Sequence, residues 1–169
     1  LFRSSSYTIK YSKLDGSKEH TKQITKDTSV NFVAFSFQTN ESVLIEPQKT
    51  EWDILFTQYT HVFDDTPPTP YLVTGVLINP YHVEVAVDKQ KSFAEISYES
   101  ISSYQLKKNL NVIGYDWKEY SFSTVSYKVF SDYNYILKDK KGVYYKMHFI
   151  DFYNSQGHKG APKMEIQKL

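Results

Sequence analysis

Apolar and polar side chains alternate along most of this chain with the period of two that belongs to a β-strand, not the 3.6 of a helix. From Val143 to Asp151, the positions Val143, Tyr145, Met147 and Phe149 fall on one face, and Tyr144, Lys146, His148 and Ile150 on the other. Gly157 and Gly160 then mark a turn-rich loop, and Pro162 precedes a shorter strand carrying Met164 and Ile166. Near the start, Tyr7, Ile9 and Tyr11 alternate with Thr8 and Lys10, and Asp15-Gly16 supplies a hairpin turn. Residues 31–37 and 42–46 read as the next strands, the second ending at Pro47, which cannot donate to a sheet ladder. Residues 52–63 carry aromatics on both faces, which predicts a central strand. Residues 71–78 and 82–88 are expected to pair around the Asn79-Pro80 turn, which would put His82 at a hairpin tip. Strands at 115–122, 126–129 and 133–139 lead to the turn at Lys140-Lys141-Gly142.

Two segments interrupt the pattern. Asp64 to Pro70 holds the proline cluster and reads as a stiff exposed loop between strands. Ser92 and Glu95 fit a capping box, which predicts a short helix with Phe93, Ile96 and Ile101 as its apolar stripe. The fold class that follows is all-β, with one or two short helices, in a single domain spanning 1–169.

Composition agrees: 15 Tyr and 11 Phe against 6 Gly favour pleated, half-buried surfaces. With no cysteine, disulfides, thiolate metal sites and cysteine nucleophiles are excluded. A net charge of +1, with lysines scattered along the chain, gives no field to attract nucleic acid. No apolar run approaches the ~18 residues of a membrane-spanning helix. The opening LFRSSS reads as a trimmed start, compatible with a removed export or lipid-anchoring segment.

Candidate chemistry is sparse. No G-x-S-x-G elbow, phosphate-cradling glycine cluster or metal-ligand histidine spacing occurs, and Asp64-Asp65 reads as a solvated loop, so no enzyme is expected. Among the histidines, His20 and His158 read as surface, and His61 and His148 as packed in strands. His82, after Asn79-Pro80-Tyr81, is the one placed to reach a ligand. Haem makes no demand on spacing, because its axial ligands come from distant loops and its ring is held by apolar walls. Tyr81, Tyr120, Phe122 and Tyr127 are the candidate walls and His82 the candidate iron ligand.

The order of elements in the C-terminal half carries a resemblance. The Gly142 turn, Tyr145-Lys146, Phe149, Asp151-Phe152-Tyr153, Gly157, Lys159-Gly160 and Pro162 resemble the terminal hairpin of the HmuY-like haem-binding lipoproteins of Bacteroidetes. Trp52-Asp53-Ile54 with Phe56 and Tyr59, Phe93-Ala94-Glu95-Ile96, and Trp117-Lys118-Glu119-Tyr120-Ser121 are similar to further elements of that family. The resemblance implies an antiparallel two-layer sheet, export, lipid anchoring at the cell surface and haem capture for an outer-membrane receptor. It implies a first iron-ligating histidine at His82. The position of the second holds Phe122, with Tyr120 nearby. The alternative is a family member without haem that acts as an adhesion or glycan-binding module, its aromatics stacking on sugar faces.

Overall fold

The computed structural model describes residues 4–169; the first three positions of the LFRSSS opening lie outside the described residues. Strands dominate, all paired antiparallel, and the fold is all-β. The chain divides into two compact units, the first ending at Trp52 and the second running Asp53–Leu169.

In the first unit, β1 (Ser6–Tyr11) pairs with β2 (His20–Thr25). Asp15 closes the turn by accepting the Ser17 N–H and hydroxyl at 2.9 and 2.7 Å, and Gly16 takes the left-handed φ of 79° that such a turn needs. The sequence pattern misses β2 because its side chains are polar on both faces and only Ile24 is buried. β3 (Ala34–Ser36) and β4 (Glu41–Val43) are shorter than expected. The Glu46 carboxylate accepts the N–H groups of Asn31 and Phe32, taking donors that a longer ladder would use.

In the second unit, β5 (Ile54–Phe63) and β6 (Thr69–Ile78) form a two-stranded hairpin in register from Ile54↔Ile78 to Phe63↔Thr69. The central position expected for 52–63 is not found. The aromatics on both faces reflect one face on which Tyr59, His61 and Phe63 are half-buried and another that leaves Phe56 and Val62 exposed. β7 (Glu84–Asp88) joins a four-stranded sheet with β10 (Asn134–Lys138), β11 (Tyr144–Tyr153) and β12 (Lys159–Lys168), in the order β12-β11-β10-β7. β8 (Lys118–Ser121) and β9 (Ser126–Val129) make a separate hairpin.

The expected pairing of 71–78 with 82–88 does not form, because β6 pairs with β5 and β7 with β10. Asn79 redirects the chain: it is fully buried, its N–H donates to the Asp53 carbonyl at 2.8 Å, and its side chain accepts the Tyr81 N–H at 2.9 Å. His82 therefore lies on a connection between layers and not at a hairpin tip. The terminal strand is also longer than expected, ten residues. Irregular register between Phe149 and Tyr153 absorbs the segment holding Gly160 and Pro162.

The β5–β6 hairpin covers one face of the sheet, which makes two layers. Val76 and Ile78 pack there with Val85, Tyr135, Leu137, Met147 and Phe149, and Trp117 stacks on Phe149 at 3.9 Å and 15°. On the other face, Ala86, Ile96 and Ile136 are buried. Two short 3-10 helices, Phe93–Glu95 and Tyr98–Ser103, follow β7, and Ser92 and Glu95 form the expected capping box. The helix stops early because Ile96 is extended and Ser97 starts a second cap. Lys146, 4% exposed, ties this cover down by donating to the carbonyls of Phe93 and Ile96 at 2.7 and 2.9 Å.

Two predictions arise from this packing. Val76 and Gly114 exchange backbone hydrogen bonds at 2.8 and 3.1 Å, and a Cβ on Gly75 would lie 2.5 Å from the Gly114 carbonyl oxygen. Backbone cannot yield cheaply, so Gly75→Ala is expected to cost roughly 1–3 kcal/mol, read as a lower urea midpoint. The second concerns acid. Burial alone would raise the Asp88 pKa, but the Tyr104 hydroxyl and the N–H groups of Gln90 and Lys91 donate to it and hold it below its ordinary value. Its stabilising contribution is therefore complete above the unfolded pKa of about 4 and is lost as pH falls through the lower folded value. Urea titrations below about pH 4 should show a shallower fall of stability with acid for Asp88→Asn than for wild type.

Candidate functional site

The β8–β9 hairpin builds an aromatic ledge. Tyr120 and Tyr127 are register partners, so their rings share a face, with centroids 5.1 Å apart. Phe122 follows the strand with its ring 87% exposed, set perpendicular to Tyr120 at 5.1 Å. The ledge is fixed to the sheet at Tyr127, whose N–H donates to the Tyr153 hydroxyl at 2.6 Å and whose ring meets Phe152 at 4.8 Å. The Lys159 ammonium lies 5.8 and 5.9 Å from the Tyr120 and Tyr127 ring centres.

Phe152 also walls an adjoining groove of about 260 Å³, together with Phe56, Trp117, Pro162 and the bare backbone of Gly75. Lys118, at the root of β8, lies along it. Its Nζ donates to the Thr74 carbonyl at 2.8 Å and sits 4.2 Å from the Trp117 ring and 5.2 Å from the Phe152 ring. Burial draws the Lys118 pKa down to about 8. The groove offers apolar walls and one partly desolvated cation, and its lining holds no histidine, methionine or cysteine.

Tyr81 and His82 lie elsewhere. His82 is exposed, has a left-handed φ of 63°, and its ring packs at 4.5 Å against Tyr81. It precedes Glu84, which is level with Lys138, which in turn is level with Tyr144 at the start of β11. Phe152 stands eight residues farther along that strand, roughly 25 Å at the usual rise. The structure thus brings Tyr120, Phe122 and Tyr127 together at one end of the sheet and Tyr81 with His82 at the other. Near the His82 end, a second groove of about 290 Å³ is lined by Ile54, Leu137, Tyr145, Met147, Ile166 and Asp53, whose carboxyl is pushed up by burial and by Asp139.

The remaining histidines have packing partners or sit in turns. His148 stacks on Phe93 at 4.2 Å and pairs with the Ser131 carbonyl and Glu165, and His61 packs against Phe63 and Tyr115. His158, read from sequence as surface, is exposed in the β11–β12 turn beside Lys159 and so belongs to the ledge end. Among the described residues, no group of three or more His, Cys, Asp or Glu side chains could hold a metal ion, and no helix is long and apolar enough to cross a membrane. Sequence reading missed Lys118, Phe56, Gly75 and Phe152 as one site, because only the packing of the β5–β6 hairpin against the end of β11 juxtaposes them.

The family model described as HmuY protein matches residues 11–166. The chain belongs to the HmuY family. Two solved structures are similar to this HmuY-family chain. One, from Bacteroides vulgatus ATCC 8482 and described as HmuY-like and heme binding, shares 16% identity at a TM-score of 0.37, over 79% of this chain and 82% of its own. The other, the apo form of an HmuY analogue (TFO) from Tannerella forsythia, shares 15% identity at a TM-score of 0.41, over 96% of this chain and 94% of its own. No curated protein matches the chain.

Proposed function

We propose that this HmuY-family chain captures haem or a related planar ligand at the Tyr120–Tyr127 end of its second unit. It acts as a binding protein and not as an enzyme. In this reading residues 1–169 form one HmuY-like domain, exported, held at the cell surface by a lipid anchor upstream of Leu1, and handing its ligand to an outer-membrane receptor. The observation that carries the proposal is the continuity of the ledge with the groove. The exposed ring of Phe122 and the half-buried rings of Tyr120 and Tyr127 run into apolar walls flanked by the ammonium groups of Lys118 and Lys159. A flat apolar ring bearing acid groups matches that surface in shape and charge.

Haem itself fits this end in part. The ring face and its acid groups have partners, whereas the groove lining supplies no histidine or methionine for an iron clamp. Tyrosine is a known type of haem ligand, and Tyr120 and Tyr127 stand on the ledge, but the reading assigns them to the ring face. Tyr81 and His82 belong to a separate corner.

Hemin titration followed at the Soret band and by protein fluorescence tests the proposal. Saturable change at one-to-one stoichiometry is expected; titration without saturation overturns it. The glycan-binding alternative draws on the same exposure of Phe122 beside Tyr120, and a glycan array that lights up while hemin does not bind would select it.

A further inference from the structure

We propose that the groove beside the ledge is an acid-recognition subsite, in which the Lys118 ammonium forms the ion pair with a carboxylate carried on an apolar or aromatic ligand. The inference rests on the capture reading and names the part of the ligand that this chain selects.

An ammonium has three donors, and one of Lys118's goes to the Thr74 carbonyl. No carboxylate pairs with it among the described residues; its pKa is lowered by burial, with no acid acting against the shift. Elsewhere on this chain, Lys10 pairs with Glu19 and Lys163 with Asp151 close to solvent. Lys118 is instead held over the Trp117 and Phe152 rings in a groove with apolar walls. A half-buried cation without a counter-ion bears part of the cost of desolvation, and an incoming carboxylate offsets it while gaining a charge-assisted hydrogen bond.

The size of the groove sets what can enter. About 260 Å³ is at or below the volume that encloses a whole drug-sized ligand. It admits an acid-bearing edge, while the ring body rests on Tyr127 and Tyr120, which adjoin the groove through Phe152. Gly75 contributes by leaving backbone bare at the lining. A purely structural Lys118, with its stem covering Trp117 and its ammonium stapling β8 to the Thr74 carbonyl, would affect stability and show no preference for acids.

The test compares protoporphyrin IX with its dimethyl ester on the full chain, using wild type, Lys118→Met and Lys118→Arg. Wild type is expected to prefer the acid by about tenfold or more. Lys118→Met should lose that preference while still binding the ester, and Lys118→Arg should keep it. Equal affinity of wild type for acid and ester, or a preference that survives Lys118→Met, overturns the inference and leaves the capture reading standing. A second probe, 2-naphthoate, is small enough for the groove alone and is followed at the Trp117 indole N–H by heteronuclear NMR. If no porphyrin binds but naphthoate shifts Trp117 in wild type and not in Lys118→Met, the capture reading fails and the acid subsite stands. If naphthoate shifts neither protein, the subsite fails.

Discussion

Trp117→Ala is expected to destabilise the second unit by about 3–5 kcal/mol, a large share of the stability of an ordinary domain. The indole is 2% exposed. One side stacks on Phe149 at 3.9 Å, its edge meets Phe152 at 5.7 Å, and the Lys118 ammonium lies 4.2 Å from the ring. Truncation would leave a cavity where the hairpin meets the sheet, in a region held by backbone ladders that cannot collapse into it. Trp117→Phe should cost clearly less. The stacking survives in part, and the indole N–H, buried without a hydrogen-bond partner, is removed with no bond lost. Equilibrium urea unfolding separates the two variants, and coincident midpoints would contradict this packing.

Tyr127→Ala is expected to weaken hemin binding by roughly tenfold or more. Its ring is the joint of the site, touching Tyr120 on the ledge and Phe152 at the groove. The backbone N–H that holds β9 to Tyr153 is kept in the variant, so the loss reads out the ring and not the position of the hairpin. Tyr127→Phe retains the ring face and should bind within about threefold of wild type, since an aromatic face and not the hydroxyl makes the contact. His82→Ala should leave the titration unchanged, because the sheet places His82 at the far end of β11 from the ledge. Isothermal titration of the three variants against hemin gives the comparison directly.

The strands of this protein are legible in its sequence wherever one face is apolar and the other polar. β11 shows the clearest alternation, with Met147 and Phe149 buried on the face predicted for them. Pairing is less legible, because period-two alternation says which residues share a face and nothing about which strand lies alongside. Asn79-Pro80 illustrates the gap. The dipeptide signals a turn, but the buried Asn79 uses its hydrogen bonds to send the chain from the hairpin to the sheet, which carries His82 away from Tyr120 and Tyr127. The ledge was readable, since Tyr120, Phe122 and Tyr127 are near neighbours in sequence. Lys118 is not: a lysine beside a tryptophan in a strand reads as a solvated side chain, and its partial burial over Phe152 and its bond to Thr74 come from residues distant in sequence.

The central claim is that the second unit holds a planar ligand by its ring face and its acid groups. Parallel titration with hemin and iron-free protoporphyrin IX, read by tryptophan quenching and absorbance, tests it most directly. Saturable one-to-one binding of both is expected, with affinities within roughly tenfold of each other. Tight binding of hemin that protoporphyrin cannot reproduce would show that an iron ligand carries the affinity and would contradict it.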